Sequence, residues 1–339
     1  MTIPPEDDFA AACRRIVADI GLGEEGSVTR VRLLTGGVSS DIAAVTVAGR
    51  TVCVKRALPR LKVAADWRAP VERNRAEYRW LAFAARAVPG CAPRPLGRSD
   101  RENGFAMAYL PPDAAANWKT QMLGGGSALP VAAAVGDTLG RLHALSAAPG
   151  FDACGFDNLG DFTDLRLDPY LREIGRVHRD LADAMAALCT AFATARPVLV
   201  HGDVSPKNIL IAATGPVLLD AECATMGDGA FDVAFCLNHL LLKAVHQPAL
   251  AADRLSGARD LWTAYRKHLH TEAPDAFEAR VAAYLPALLL ARVDGKSPVE
   301  YLDQVSRDAV RQTARALIAR CPRDLETIVR TVAAAAGRS

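Results

Sequence analysis

The chain lacks any close pair of cysteines. Its eight cysteines are scattered, and no two stand nearer to each other than Cys223 and Cys236. That excludes a CxxC zinc ribbon and a small-domain disulfide framework, and it fits small core residues in a reducing compartment. An excess of one charge is missing too. Lys and Arg number 40 and Asp and Glu 38, a net charge of +2. Such a balance gives no broad nucleic-acid surface and no basic membrane tail. The opening, MTIPPEDDFAAACRR, has neither the basic start nor the apolar stretch of a signal peptide. Long hydrophobic runs are absent, and the longest clean one, VAAYLPALLLA (281–291), is too short to span a bilayer. There is no internal repeat. These absences lead us to expect a soluble, cytoplasmic protein with no nucleic-acid or membrane partner, a monomer or a homodimer.

What is present is a large core. Half of the 339 residues are hydrophobic, enough for two lobes rather than one. Residues 9–20 read as a short helix. VTRVRLLT, IAAVTV and TVCVKRAL then read as three strands, joined by GGVSSD and AGR into an antiparallel meander. Residues 71–88 form a helix by composition, with Glu77, Leu81, Ala84 and Val88 sharing one face. A Pro-rich turn, the strand-like FAMAYL (105–110) and a PP pair follow. The expected division is residues 1–110 and 111–339. The second part reads mostly as helix, except for VLVH (198–201), NILI (208–211) and VLLD (217–220), the last two joined by the turn AATGP. The fold class is therefore α+β, with a small antiparallel-sheet lobe carrying one key helix and a larger, mainly helical lobe.

The chemistry concentrates in HGDVSPKNIL (201–210). A buried strand ending in a polar loop presents Asp203, and Asn208 stands at the far end of that loop. The strand VLLD ends at Asp220, and Glu222 follows. Two carboxylates and a carboxamide make an oxygen-ligand set of the kind magnesium favours beside waters and phosphate oxygens. Asp203 is then left to accept a proton or orient a hydroxyl. His201 is carried in by a hydrophobic strand and reads as a hydrogen-bonded core histidine.

H-G-D-x-x-x-x-N resembles the catalytic loop of the protein-kinase-like fold, in the form used by its small-molecule branch: aminoglycoside phosphotransferases, choline kinases and methylthioribose kinases. LLDAECATMGDGAFDVAF (218–235) is similar to the segment in which that branch replaces DFG. The resemblance implies a bilobal kinase-like fold, ATP and Mg2+, with Asp203 as catalytic base. It implies that Asn208, Asp220 and Glu222 bind metal and that His201 and Asp232 brace the loop. The small lobe answers what the resemblance demands. Lys55 stands in the third strand. Glu77, on the inward face of the helix, is the partner such a lysine needs, with Glu72 at the helix start as the competing choice. Gly36, Gly37, Ser39 and Ser40 form a loop that wraps phosphates or is a plain hairpin turn. The resemblance makes the backbone around Met107, Tyr109 and Leu110 the adenine hinge.

The implied reaction moves the γ-phosphoryl group of ATP to a hydroxyl of a small molecule of aminoglycoside, sugar or amino-alcohol type. Lys207 is a cation in the catalytic loop that either aids the phosphate or is solvated. Arg292, in LLLARVDGKSPVEYL (288–302), resembles an arginine of methylthioribose kinases that contacts substrate or phosphates, and it equally suits a helix C-terminus. Asn208 departs from the methylthioribose kinase loop. A protein kinase is disfavoured because A-P-E is missing and DAE replaces DFG. A silent pseudokinase is disfavoured because base, lysine and metal aspartate all stand.

Overall fold

The computed structural model describes residues 5–34, 39–60, 62 and 69–337. It divides into two compact units, residues 1–115 and 116–339. In the first unit the chain runs α1 (Pro5–Asp19), β1 (Val28–Leu33), β2 (Ser40–Val47), β3 (Arg50–Ala57), α2 (Asn74–Ala87), β4 (Pro95–Ser99) and β5 (Gly104–Ala108). The strands form one antiparallel sheet in the order β1-β2-β3-β5-β4. The β2–β3 hairpin turns at Ala48 and Gly49, both at positive φ. β2 and β3 are rich in β-branched residues, which suit a pleated, half-buried surface.

The two faces of this sheet have different covers. Phe9, Ala12, Cys13, Ile16 and Val17 of α1 pack with Val45, Val47, Val52, Val54 and Ala106 of the sheet. Side chains alternate along a strand, so Cys53 and Lys55 take the face opposite Val52 and Val54. The helix expected at 71–88 begins as a 3-10 turn at 71–73 and becomes α2 at Asn74. Arg73, buried in that turn, donates to the carbonyls of Ala69, Pro70, Ser39 and Leu58. One side chain thus ties the start of α2 to the start of β2 and the end of β3.

The second unit continues with β6 (Ala115–Asn117), α3 (Trp118–Leu123), α4 (Leu129–Ser146) and α5 (Leu159–Phe162). A π-helical stretch spans Thr163–Arg172 with Pro169 inside it. Then come α6 (Glu173–Val177), α7 (Ala182–Thr194), β7 (Val198–Val200), β8 (Ile209–Ala212), β9 (Gly215–Leu218), β10 (Thr225–Gly227) and α8 (Gly229–His246). Four more helices close the chain: α9 (Ala251–Tyr265), α10 (Pro274–Asp294), α11 (Gln304–Arg320) and α12 (Leu325–Ala336). α8 is buried along nearly its whole length, so it reads as apolar on all sides.

The three strands expected here do not share one sheet. β8 and β9 form the hairpin foreseen from AATGP, with Ile209 opposite Leu218, and β6 flanks them. β7 pairs instead with β10, Val200 opposite Thr225. The sequence TMG of β10 has no strand signature, and its pairing is decided by tertiary contact. Cys154 and Cys321 are exposed and the other six cysteines are buried. Burial pushes the Cys53 and Cys236 thiols up to about 12, consistent with inert core residues. Among the described residues no helix is long and apolar enough to cross a membrane.

Candidate active site

In the first unit, Lys55 Nζ lies 2.7 Å from both carboxylate oxygens of Glu77. Both side chains are only 2% exposed. Glu77 sits on the inward face of α2 beside buried Trp80, Leu81 and Ala84. Glu72 is exposed in the turn before α2. A dry charge pair of this kind is costly to form and costlier to break, about 3–5 kcal/mol when one partner is removed. Ser39 and Ser40 are buried at the start of β2, and the Ser39 carbonyl accepts from the Arg73 guanidinium and the Leu58 amide. Gly36 and Gly37 lie outside the described residues. Met107 is within β5 opposite Cys53. Tyr109 and Leu110 follow the strand, half-buried, and the Tyr109 hydroxyl accepts a 2.7 Å bond from Arg32.

In the second unit the segment after β7 is held by Asp232, one turn inside α8 and fully buried. Its two oxygens accept from the His201 amide at 2.6 Å and the Gly202 amide at 2.8 Å. The N-terminal end of α8 favours that negative charge. His143 Nε2 lies 3.3 Å from the same carboxylate, and His143 Nδ1 lies 2.9 Å from the Tyr265 hydroxyl. The ring of His201 is spoken for by backbone. Its Nδ1 accepts from the Asp203 amide at 3.1 Å, so Nε2 carries the proton and donates to the Leu219 carbonyl at 3.0 Å. Burial lowers its pKa, in keeping with a neutral ring.

Gly202 has φ +80°, and a Cβ there would stand 2.8 Å from Cys223 Cβ and 3.1 Å from Phe162 Cε2. Both the conformation and the space require glycine. The arginine that a protein kinase carries at this place in H-R-D could not fit. A different arginine reaches the loop. Arg166, buried in the π-helical stretch, donates from Nε to the Gly202 carbonyl at 2.5 Å and places a terminal nitrogen 2.9 Å from Asp203 Oδ2.

Asp203 is 4% exposed. Burial by itself would raise its pKa. Lys207, 3.2 Å from the same oxygen, and Arg166 outweigh that and hold the carboxyl well below the usual carboxylate range. In return Asp203 raises the pKa of Lys207, whose side chain is half exposed, so solvent screens that pair more than the Arg166 pair. Asn208 donates from its side-chain amide to the Asp203 backbone carbonyl at 3.1 Å, and its backbone carbonyl accepts from the amide of Leu219, the residue before Asp220. Asp220 has φ +69°, a left-handed conformation that aspartate tolerates better than most residues. Its charge bears on Lys207 and His201, and that of Glu222 on Arg166. Asn208, Asp220 and Glu222 are hard oxygen donors that suit a magnesium-class cation. Among the described residues no three His, Cys, Asp or Glu side chains gather into a complete metal group, so a cation there needs oxygens from its other ligands.

Arg292 lies in the last turn of α10. It donates to the Tyr170 hydroxyl at 3.1 Å and to the backbone carbonyl and hydroxyl of Ser297. Sequence reasoning missed Arg166. Its only trace is an arginine between Leu165 and Leu167 in a stretch read as loop and helix.

The α+β architecture is that of the protein-kinase-like enzymes. A choline/ethanolamine kinase family protein from Mesorhizobium loti superposes with a TM-score of 0.52 at 18% identity, covering 98% of this chain and 99% of the other. An amicoumacin kinase solved with AMP-PNP, Ca2+ and Ami gives a TM-score of 0.55 at 13% identity, over 95% of this chain and 98% of that one. Residues 30–268 match the model of the APH phosphotransferase enzyme family, and the chain belongs to that family. Among its sequence relatives is a methylthioribose kinase of Erwinia tasmaniensis, 29% identical over 163 residues. That match takes in 45% of this chain and spans 38% of the relative's length.

Proposed function

We propose that this protein is an ATP-dependent small-molecule kinase in which Asp203 orients and deprotonates an acceptor hydroxyl. The observation that carries the reading is the buried Asp203 carboxylate, aimed by the His201–Asp232 scaffold and flanked by Arg166 and Lys207. Family membership and the kinase-like fold support it. The oxygen of the acceptor attacks the γ-phosphorus, the bond to the β-phosphate oxygen breaks, and ADP leaves. A carboxylate as acidic as Asp203 is a weak base toward a neutral alcohol. Its first task is to align the hydroxyl, and the proton reaches it late, as the new P–O bond acidifies the hydroxyl. Lys55, held by Glu77, bears on the nucleotide phosphates. Asn208 and Asp220 would hold a cation, with Glu222 beside them. A bound Mg2+ would supply neutralisation of the phosphate charge. Lys207 also faces the transferred group, and backbone near Met107, Tyr109 and Leu110 receives the adenine.

The test is ADP release with ATP and Mg2+ over sugars including methylthioribose, aminoglycosides, and choline and related amino alcohols. Turnover with one class that disappears in Asp203→Asn establishes the reaction. Turnover that survives in Asp203→Asn refutes the role given to that carboxylate.

A further inference from the structure

Beside Asp203 the second unit holds a set of basic side chains for which the reaction above has no use, His239 and Lys243 buried and Arg292 part-buried. His239 and Lys243 stand one turn apart on α8 and so share a face. Lys243 is 1% exposed. Among the described residues it makes no hydrogen bond and no ion pair, and its one polar neighbour interaction is with the Tyr301 ring, whose centroid is 5.0 Å from Nζ. The buried Tyr301 hydroxyl and Arg292 Nε also find no partner among the described residues. The cluster adjoins the catalytic loop through a chain of contacts. Arg166, which grips Asp203, lies 5.8 Å from the Phe235 ring. Phe235 packs at 5.6 Å from both His239 and Tyr170, and Arg292 sits 5.8 Å from the Tyr170 ring.

An unpaired buried ammonium is costly, and proteins keep one only for a partner or a task. Burial, together with Lys119 and Arg292, pushes Lys243 down to about 7. Burial, with Arg292 and Lys243 nearby, also lowers the pKa of His239. Nearby acids do not answer the charge. Glu300 is paired with Lys119, and Asp303 caps α11. A carboxylate or phosphate would repay the desolvation of Lys243 and Arg292 together, accept from a neutral His239 N–H and give the Tyr301 hydroxyl an acceptor.

We propose that the acceptor carries an anionic group, a carboxylate or a phosphate, which binds at Lys243 with Arg292, His239 and the Tyr301 hydroxyl around it. This rests on the kinase reading above and narrows it. The acceptor is a hydroxylated acid or a sugar phosphate, not a polycationic aminoglycoside or a quaternary amino alcohol.

Two measurements separate this inference from the reading beneath it. ADP release is followed with hydroxy acids, with the neutral amides of the same acids, with sugar phosphates and their parent sugars, and with amines, in wild type and in Lys243→Met. The expected result is turnover of an acid or a phosphate. KM for it rises at least about tenfold in K243M while kcat moves far less, and Lys243→Arg recovers part of the loss. The acid and phosphate arms tell which anion is used. Turnover confined to neutral or cationic acceptors, or a KM unmoved in K243M, overturns the proposal and leaves the kinase reading intact. Calorimetry with inorganic phosphate and glycerate, without nucleotide, works even if no acceptor turns over. Binding to wild type that is lost in K243M upholds the anion site by itself, and no binding of either anion removes it. If K243M does not fold, Arg292→Gln carries the same comparisons.

Discussion

Arg166→Met removes the buried cation from Asp203 while keeping most of the apolar stem. Asp203 stays 4% exposed and is left with Lys207, which is half exposed and screened. The Arg166 bonds to the Gly202 and Leu165 carbonyls go as well. Breaking a buried pair from one side costs about 3–5 kcal/mol, which for a unit of this size is roughly 6–20 °C in Tm. The loss depends on pH. The folded pKa of Asp203 lies below its unfolded value, so its contribution is present above the unfolded pKa, near about 4. It fades as pH falls through the folded value. In R166M the depression shrinks or reverses, so stability and activity are lost on acidification at a higher pH than in wild type. The assay is urea unfolding from pH 8 to pH 4, with the acid limb of kcat/KM measured beside it. Arg166→Lys, keeping charge but not the forked geometry, should fall between. If R166M unfolds at the wild-type midpoint and its acid limb does not move, Arg166 does not hold Asp203 in the way argued.

Other expectations follow from the same geometry. Asp203→Asn should keep the fold and cut kcat by about 10^2–10^4, the usual weight of a general base; circular dichroism and ADP release check the two halves. Glu77→Gln should destabilise the first unit by about 3–5 kcal/mol and weaken ATP binding, because Lys55 is left buried without its carboxylate; calorimetry with ATP and thermal unfolding read both. Gly202→Ala should cost about 2–5 kcal/mol from left-handed strain plus overpacking against Cys223, visible as a lower denaturation midpoint. His201 and His239 are kept neutral by burial, so the unfolded chain takes up protons the folded one refuses as pH drops below about 6.5. Stability should therefore decline from pH 7 to pH 5, and His239→Gln should flatten that slope in denaturant titrations.

Much of the site was legible because it is local. His201, Asp203 and Asn208 sit in one loop, and Asp220 and Glu222 end the hairpin beside it. Lys55 and Glu77 could be matched because strand alternation and helix periodicity each assign a face, and a glutamate on an apolar face calls for a cation. β1, β2 and β3 were visible for the same reason, in runs of β-branched residues between turn signals, and β5 in FAMAYL; β4 was not, since its PLGRS lies in a stretch read as a Pro-rich turn. β10 was not, since TMG becomes a strand only where β7 offers its edge. Nor was the widened helix at Thr163–Arg172, which propensity reads as loop and ordinary helix on either side of Pro169.

The sequence by itself determined most of the element types, the HGD loop and the candidate oxygen donors, because short-range spacing and side-chain chemistry fix those. Only the tertiary structure decided which charges meet. It brought Arg166 to Asp203 across 37 positions of chain, set Asp232 under the amides of His201 and Gly202, and left Lys243 buried without an acid beside it. Such pairings depend on which helix faces pack together. A charge's effect comes from its distance and its exclusion from water, and neither is written in the order of residues.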